Sequence, residues 1–138
     1  MPDVKNIFDI AGRSMASQMI RLNTVASNLA NAGAVTGNKD SAFRALKPVF
    51  ETQFADQLKR TGVSTVDVVD IQPVLREPER VYMPQHPDSD QDGYVFRAAV
   101  DENEEMVEML EASRQYQNNV EVVSTLRSLM MRTISMGK

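Results

Sequence analysis

Asp88-Ser89-Asp90-Gln91-Asp92-Gly93 is the segment whose residue types and spacing come closest to a chemical site. Carboxylates at alternate positions ahead of a glycine form the first half of an EF-hand loop, where oxygens converge on calcium and glycine permits the sharp turn. The twelfth position, which needs a bidentate glutamate, is Ala99, and Gln85-His86-Pro87 spoils an entering helix. The segment therefore reads as a solvated acidic turn into a strand at Tyr94. His86 has no second histidine and no cysteine with which to share a metal or activate a nucleophile, and Ser113 and Ser124 have no partnered base. The carboxylates Glu102, Glu104, Glu105, Glu108 and Glu111 are numerous, but an acidic helix face is ordinarily solvated. With no glycine-rich phosphate loop either, the sequence predicts no enzyme, no cofactor and no metal site.

Residue types elsewhere bound the protein class. The 138 residues suffice for one ordinary domain, and 42% apolar with 25% charged residues describes a chain able to bury a core. A net charge of −4 offers no basic excess to neutralise phosphates, so nucleic acid is not an expected partner. No run of about 18 apolar residues occurs, so no membrane-inserted helix is expected. Charges at Asp3, Lys5, Asp9, Arg13 and Arg21 leave no apolar core for a cleavable signal peptide. With no cysteines, there is neither a disulfide nor a thiolate metal site.

Three parts follow from the hydrophobic pattern. From Asn6 to about Ala32, Phe8, Ala11, Met15, Leu22, Val25 and Leu29 recur at alternating three and four residues and predict one helix seam, interrupted by Gln18. Gly33 is a plausible left-handed cap. A second helix is predicted from Asp101, whose side chain can cap the first turn with Glu104 three residues on, as in a capping box. Its seam runs through Met106, Met109, Ser113, Tyr116, Val120 and Val123, then after a shortened step through Leu126, Met130 and Thr133. Between them, short β-branched runs at Arg44 to Phe50, Val63 to Ile71, Arg80 to Met83 and Tyr94 to Ala98 predict a small twisted sheet or pair of hairpins. The expectation is an α+β fold: residues 1–33 and 101–138 form a helical inner domain, paired as an antiparallel coiled coil, and 34–100 form a small β-rich outer domain.

Helices of roughly 27 and 35 residues would reach about 40–50 Å. So small a middle region cannot cover both, and uncovered apolar surface of that kind marks an interface. From Leu22 through Asn38 no residue is charged, yet Asn23, Thr24, Ser27, Asn28 and Asn31 are polar. Uncharged amides and hydroxyls suit a helix enclosed on all sides, where each amide both donates and accepts. The predicted interface is Phe8, Met15, Leu22, Asn23, Val25, Asn28, Leu29 and Asn31 on the first helix. On the second it is Met106, Met109, Tyr116, Val120, Val123, Leu126 and Met130. Five of the nine methionines lie in the second helix, where their flexibility suits a core or an adaptable seam.

Leu22-Asn23-Thr24-Val25-Ala26-Ser27-Asn28-Leu29-Ala30-Asn31 resembles the N-terminal motif of the flagellar axial proteins, which form rod, hook and junctions. Ser113-Arg114-Gln115-Tyr116-Gln117-Asn118-Asn119-Val120-Glu121 is similar to the matching C-terminal segment of a short proximal-rod member of that family. Val35-Thr36-Gly37, Phe43-Arg44-Ala45, Val81-Tyr82 and Gly93-Tyr94-Val95 fall between them in the family's order. The resemblance covers the whole chain; Thr52 to Gly62 matches nothing in it, and Phe43 stands where tyrosine is commoner. It implies a structural subunit of the proximal rod of the flagellar basal body, exported unfolded by the type III route without a cleaved signal peptide and assembled in the periplasm. Its partners would be further copies of itself and other rod proteins such as FlgB and FlgF, with the terminal helices lining the inner tube. The residues leave one rival: a soluble coiled-coil adaptor or secretion-linked binding protein that pairs its helices with a single partner.

Overall fold

The computed structural model describes residues 4–53 and 65–137. Helix α1 spans Val4–Asn31 and helix α2 Glu102–Met136, of 28 and 35 residues. Between them come β1 (Val35–Thr36), a single 3-10 turn (Lys39–Ser41), β2 (Leu46–Gln53), β3 (Thr65–Pro73), β4 (Glu79–Tyr82) and β5 (Tyr94–Arg97). The fold is α+β, with two long helices around a small antiparallel β region.

The strands form two sheets. β2 and β3 make an antiparallel ribbon from Leu46 opposite Pro73 to Gln53 opposite Thr65. Val49 faces Asp70 and Phe50 faces Val68, so Val69 is an extra residue and the ribbon bends at that bulge. The other sheet has the order β1-β5-β4, all antiparallel. Short as it is, β1 is a strand that its own two residues do not announce; Val35 and Thr36 pair with Arg97 and Phe96 only because β5 is there. The expected runs near Phe50, Ile71, Met83 and Ala98 all appear as strands, with ends displaced by one to three residues. The expected start of the second run at Val63, and most of the stretch from Thr52 to Gly62, lie outside the described residues.

Turn chemistry at Asp88–Gly93 follows local hydrogen bonding. Asp90 Oδ1 accepts from the backbone amides of Asp92 at 3.0 Å and Tyr94 at 2.8 Å. Those donors, the Tyr94 amide first, hold the Asp90 carboxyl below the usual aspartate range. Arg80 lies 3.9 Å over the Tyr94 ring and within 3.4 Å of Asp90 Oδ2. Gly93, at φ 80°, occupies the left-handed region, with Pro84 and Tyr82 already 3.0 Å from where a Cβ would stand. Both oxygens of Asp90 are thus committed to closing a turn.

The buried apolar residues are mostly small: Ala11, Ala32, Ala42, Ala45, Ala98, Ala99 and Ala112, with Val25 and Val95. Alanine lets backbones approach closely, and here β5, the chain around Ala45 and the base of α2 meet through backbone hydrogen bonds. Ala45 N–H donates to Ala99 O at 3.2 Å, and Ala99 N–H to Phe43 O at 2.8 Å. The large apolar side chains are half-buried, as at Leu22, Phe43, Leu46 and Phe96, or exposed, as at Met106, Leu110 and Met131. Accessible surface reaches 9979 Å² for 15.4 kDa, against roughly 7,200 Å² for a compact monomer of that mass.

Gln18 marks a local cost inside this structure. Its Oε1 is buried without a hydrogen-bond partner among the described residues, and an unmet buried acceptor costs about 1–3 kcal/mol. Gln18→Met keeps the length of the side chain and removes the polar atoms. Urea unfolding of the purified chain is expected to show a gain of about 1 kcal/mol; a loss would mean that Gln18 is satisfied in solution.

Candidate assembly interface

Asn28 is fully buried, and its side-chain amide joins three elements. Nδ2 donates to Leu46 O at 2.8 Å, and Oδ1 accepts from Leu46 N–H at the same distance. The amide thus imitates a neighbouring strand at the point where β2 begins. Nδ2 also donates to Glu105 Oε2 at 3.0 Å, in the first turn of α2. Glu105 is 3% exposed, so its carboxylate depends on this contact.

Two further polar links lie along the helices. Arg21 donates through Nε to Glu108 Oε2 at 2.9 Å, through Nη2 to the same oxygen, and at 3.3 Å to Glu111. Asn119 donates to Ser14 Oγ at 2.8 Å. Each step toward the start of α1 is a step toward the end of α2, so the helices run antiparallel. Ser14, Arg21 and Asn28 are spaced by seven, as are Glu105, Ala112 and Asn119 opposite them. A polar or small residue therefore recurs once per two turns on each facing surface, at the spacing of one heptad position.

This alters the expected seam in a regular way. Ala11 and Val25 on α1, and Met109, Tyr116 and Val123 on α2, are buried or half-buried as the periodicity predicts, and Gln18, which interrupts the expected seam, is half-buried between them. The alternate positions differ. Hydrogen bonds across the helix pair are made by Ser14, Arg21 and Asn28, beside Met15, Leu22 and Leu29, to Asn119, to Glu108 and Glu111, and to Glu105, while Ala112, fully buried, stands beside Ser113. Read through the inner residues, α2 keeps an unbroken three–four rhythm from Glu105 to Leu126, and the shortened step disappears. A hydrophobic template selects each apolar neighbour one position too late. The signal it misses is the seven-residue recurrence of polar residues.

The residues expected from the sequence to form an interface divide into three groups. Val25 and Asn28 are buried within the chain. Phe8, Met15, Leu22, Leu29, Asn31, Met109, Tyr116, Val123 and Leu126 are half-buried. Asn23, Met106, Val120 and Met130 are exposed. Asn31 donates to Ser27 O at 2.8 Å inside its own helix. Apolar exposure on α2 is wider than expected, adding Val107, Leu110, Val122, Leu129, Met131, Ile134 and Met136.

The ribbon lies along α1. Ser17 Oγ donates to Val66 O at 3.2 Å, and Arg13 donates to Asp67 at 3.2 Å. From Leu46 to the partner of Val66 is six strand residues, about 20 Å; from Asn28 to Ser17 is eleven helix residues, about 17 Å. The two lengths match, so strand and helix advance together. This is why Thr24 and Ser17, which face the ribbon, are buried although polar; Thr24 satisfies its hydroxyl on Ile20 O at 2.8 Å.

At the base of α2, Asp101 caps the helix by accepting from Asn103 N–H at 3.0 Å and Glu104 N–H at 3.2 Å. The expected return arm of a capping box is not made: Glu104 instead accepts from Lys47 at 2.8 Å and Arg76 at 2.9 Å. The Lys47 hydrogen bond, followed by the Arg76 hydrogen bond, holds the Glu104 carboxyl below the ordinary glutamate value. The start of β2 and the loop after β3 are thereby tied to the same helix turn.

Comparison with known proteins places the chain in a family. Residues 8–39 match the family described as flagella basal body rod protein, and residues 91–136 match the flagellar basal body rod FlgEFG protein C-terminal family. The chain is therefore of the flagellar basal-body rod class. Full-length relatives narrow this further. It is 44% identical over 134 residues to the flagellar basal-body rod protein FlgC of Salmonella typhimurium, covering 96% of this chain and 97% of the relative. Identity to the FlgC of Escherichia coli O157:H7 is also 44% over 134 residues, with the same coverage. The FlgC of Aquifex aeolicus is 35% identical over 138 residues, covering the whole of both chains. The chain belongs to the FlgC family of flagellar basal-body rod proteins, a structural family of the rod.

Three variants test the polar contacts. Asn28→Ala strands the Leu46 amide and carbonyl and the Glu105 carboxylate, and urea unfolding is expected to show a loss of about 3 kcal/mol or more. Asn28→Leu combined with Glu105→Leu should recover part of that stability, because no buried charge is left unpaired although the Leu46 amide and carbonyl stay unmet. For Glu104, a lowered folded pKa means that its stabilisation is present above the unfolded value, about 4.3, and is lost as pH falls through the lower folded value. Glu104→Gln should flatten that part of the stability–pH curve, with an effect at neutral pH of at most about 1 kcal/mol, since the network is exposed; an unchanged acid limb would exclude the network as its source.

Proposed function

We propose that the chain is a structural subunit of the proximal rod, assembling in the periplasm through its helices into a helical tube, with no catalytic role. In this reading it is exported without a cleaved signal peptide, and residues 1–33 with 101–138 form the inner, coiled-coil domain while 34–100 lie outside. Its neighbours are further copies of the chain and other rod proteins, FlgB and FlgF among them. The observation that carries the reading is the apolar surface left uncovered on the helix pair. Polar and small residues share the inner face with Val25, Met109, Tyr116 and Val123, while large apolar side chains such as Met106, Leu110, Met131 and Ile134 are 59–62% exposed. Such surface is unfavourable in water and is stabilised by cover from other molecules.

Among the described residues, no helix is long and apolar enough to cross a membrane. The exposed side chains are therefore better matched to protein surfaces than to the interior of a bilayer. Half-buried Phe8, Met15, Leu22 and Leu29 on α1 extend the same surface, and Asn23 supplies an exposed amide beside them. An adaptor holding one partner would use one face of the pair; apolar exposure at both ends and on several sides of α2 favours several neighbours.

A deletion strain complemented with a tagged copy tests the reading. Cells lacking the chain should be non-motile, and the tagged chain should restore swimming and co-purify with isolated basal bodies at the rod. Swimming restored with the tagged chain absent from basal bodies would refute it.

A further inference from the structure

Two apolar surfaces sit at opposite ends of α2. Near its start, Met106, Val107 and Leu110 are 62–64% exposed and, with Met109 and Ser113, line an open apolar groove. Near its end, Leu129, Met131, Ile134 and Met136 are 53–86% exposed. At 100° per residue these side chains spread round most of the helix, so no single covering face accounts for them; a helix apolar on most sides calls for enclosure. The contacts of Ser14 with Asn119 and Asn28 with Glu105 set Val4 level with about Leu129. The described part of α1 thus stops alongside the point where this cluster begins.

Charge separates the same two ends. Residues 101–111 carry six carboxylates and no basic side chain, and the three cations paired with them, Arg21, Lys47 and Arg76, still leave that end acidic, whereas 124–138 carry Arg127, Arg132 and Lys138 and no acidic side chain. Two starts repel each other, as do two ends; a start and an end attract, and at close range screening over about 8 Å does not remove that preference. Helix dipoles placed head to tail act in the same sense.

We propose that the end of α2 in one copy, residues 129–136, seats on the Met106–Leu110 groove of the next copy. This rests on the reading of the chain as a self-assembling rod subunit, and it identifies the mating surfaces. Because the surfaces differ, each contact leaves one unused start and one unused end, and the series stays open. Methionines on both sides suit a contact that must tolerate small differences between neighbours.

The chain has no cysteine, so introduced ones report proximity without background. Met106→Cys and Met131→Cys, carrying different tags, are co-expressed in cells lacking the native chain, and isolated basal bodies are oxidised. The expected product is the mixed disulfide, at least tenfold over either homodimer. Basal bodies that hold both variants yet give no mixed disulfide, or give homodimers in equal amount, overturn the docking and leave the rod reading standing. If the unsubstituted tagged chain is itself absent from basal bodies, the rod reading fails and the docking fails with it. Should a substitution alone keep the chain out, the two variants are mixed as purified proteins at high concentration; the same tenfold excess is expected, and its absence overturns the proposal.

Discussion

A buried amide is costly to leave unpaired, and the arrangement of this molecule follows from how Asn28 meets that requirement. Its oxygen and nitrogen saturate both backbone groups of Leu46, which fixes where β2 leaves α1. The second proton of the amide goes to Glu105, which fixes how far α2 has advanced when it meets α1. Sliding β2 by one residue would break both contacts with Leu46, and sliding α2 would break the third and leave a carboxylate buried alone, at a cost far above that of an apolar mismatch. Arg21 with Glu108 and Ser14 with Asn119 repeat the same constraint at seven-residue intervals. Register is thus specified by hydrogen bonding, and the apolar side chains are released from that task.

The division of labour explains why the core is small. A helix pair held by Leu and Ile would bury them and leave a polar exterior. Here alanine and polar residues share the inside with Val25 and half-buried Met109, Tyr116 and Val123, and methionine, valine, leucine and isoleucine occupy much of the outside. The single chain consequently leaves much of its apolar surface in water. Lys47 and Arg76, converging on Glu104, add a surface clamp that ties the ribbon and the following loop to the start of α2.

Much of this is legible in the sequence, and the reasons for what is not are specific. Both helices are visible because three–four periodicity survives substitution of alternate positions, and Asp101 is visible as a cap because an aspartate before an acidic turn satisfies exposed amides. The inner face is displaced because a hydrophobic template equates apolar with inside. At Met15, Leu22, Leu29, Met106 and Val120 the inward contact belongs instead to the residue before. Asn28 reads as a residue needing enclosure, but its partners, 18 and 77 positions away, cannot be read from its neighbours. β1 and the bulge at Val69 depend on pairing with distant strands and carry no local mark. Glu104 reads as part of its own helix cap because Lys47 and Arg76 are remote in sequence.

The β2–β3 ribbon has a mechanical consequence. Its eight residue pairs lie side by side along α1, so a pull along the helix axis loads the ladder in shear. All the rungs then share the force and must yield nearly together, whereas a pull across the ribbon would open them one at a time. Anchored at Leu46 by Asn28 and farther along by Ser17 and Arg13, the ribbon acts as a splint that stiffens α1 against stretching while leaving its sideways bending comparatively soft.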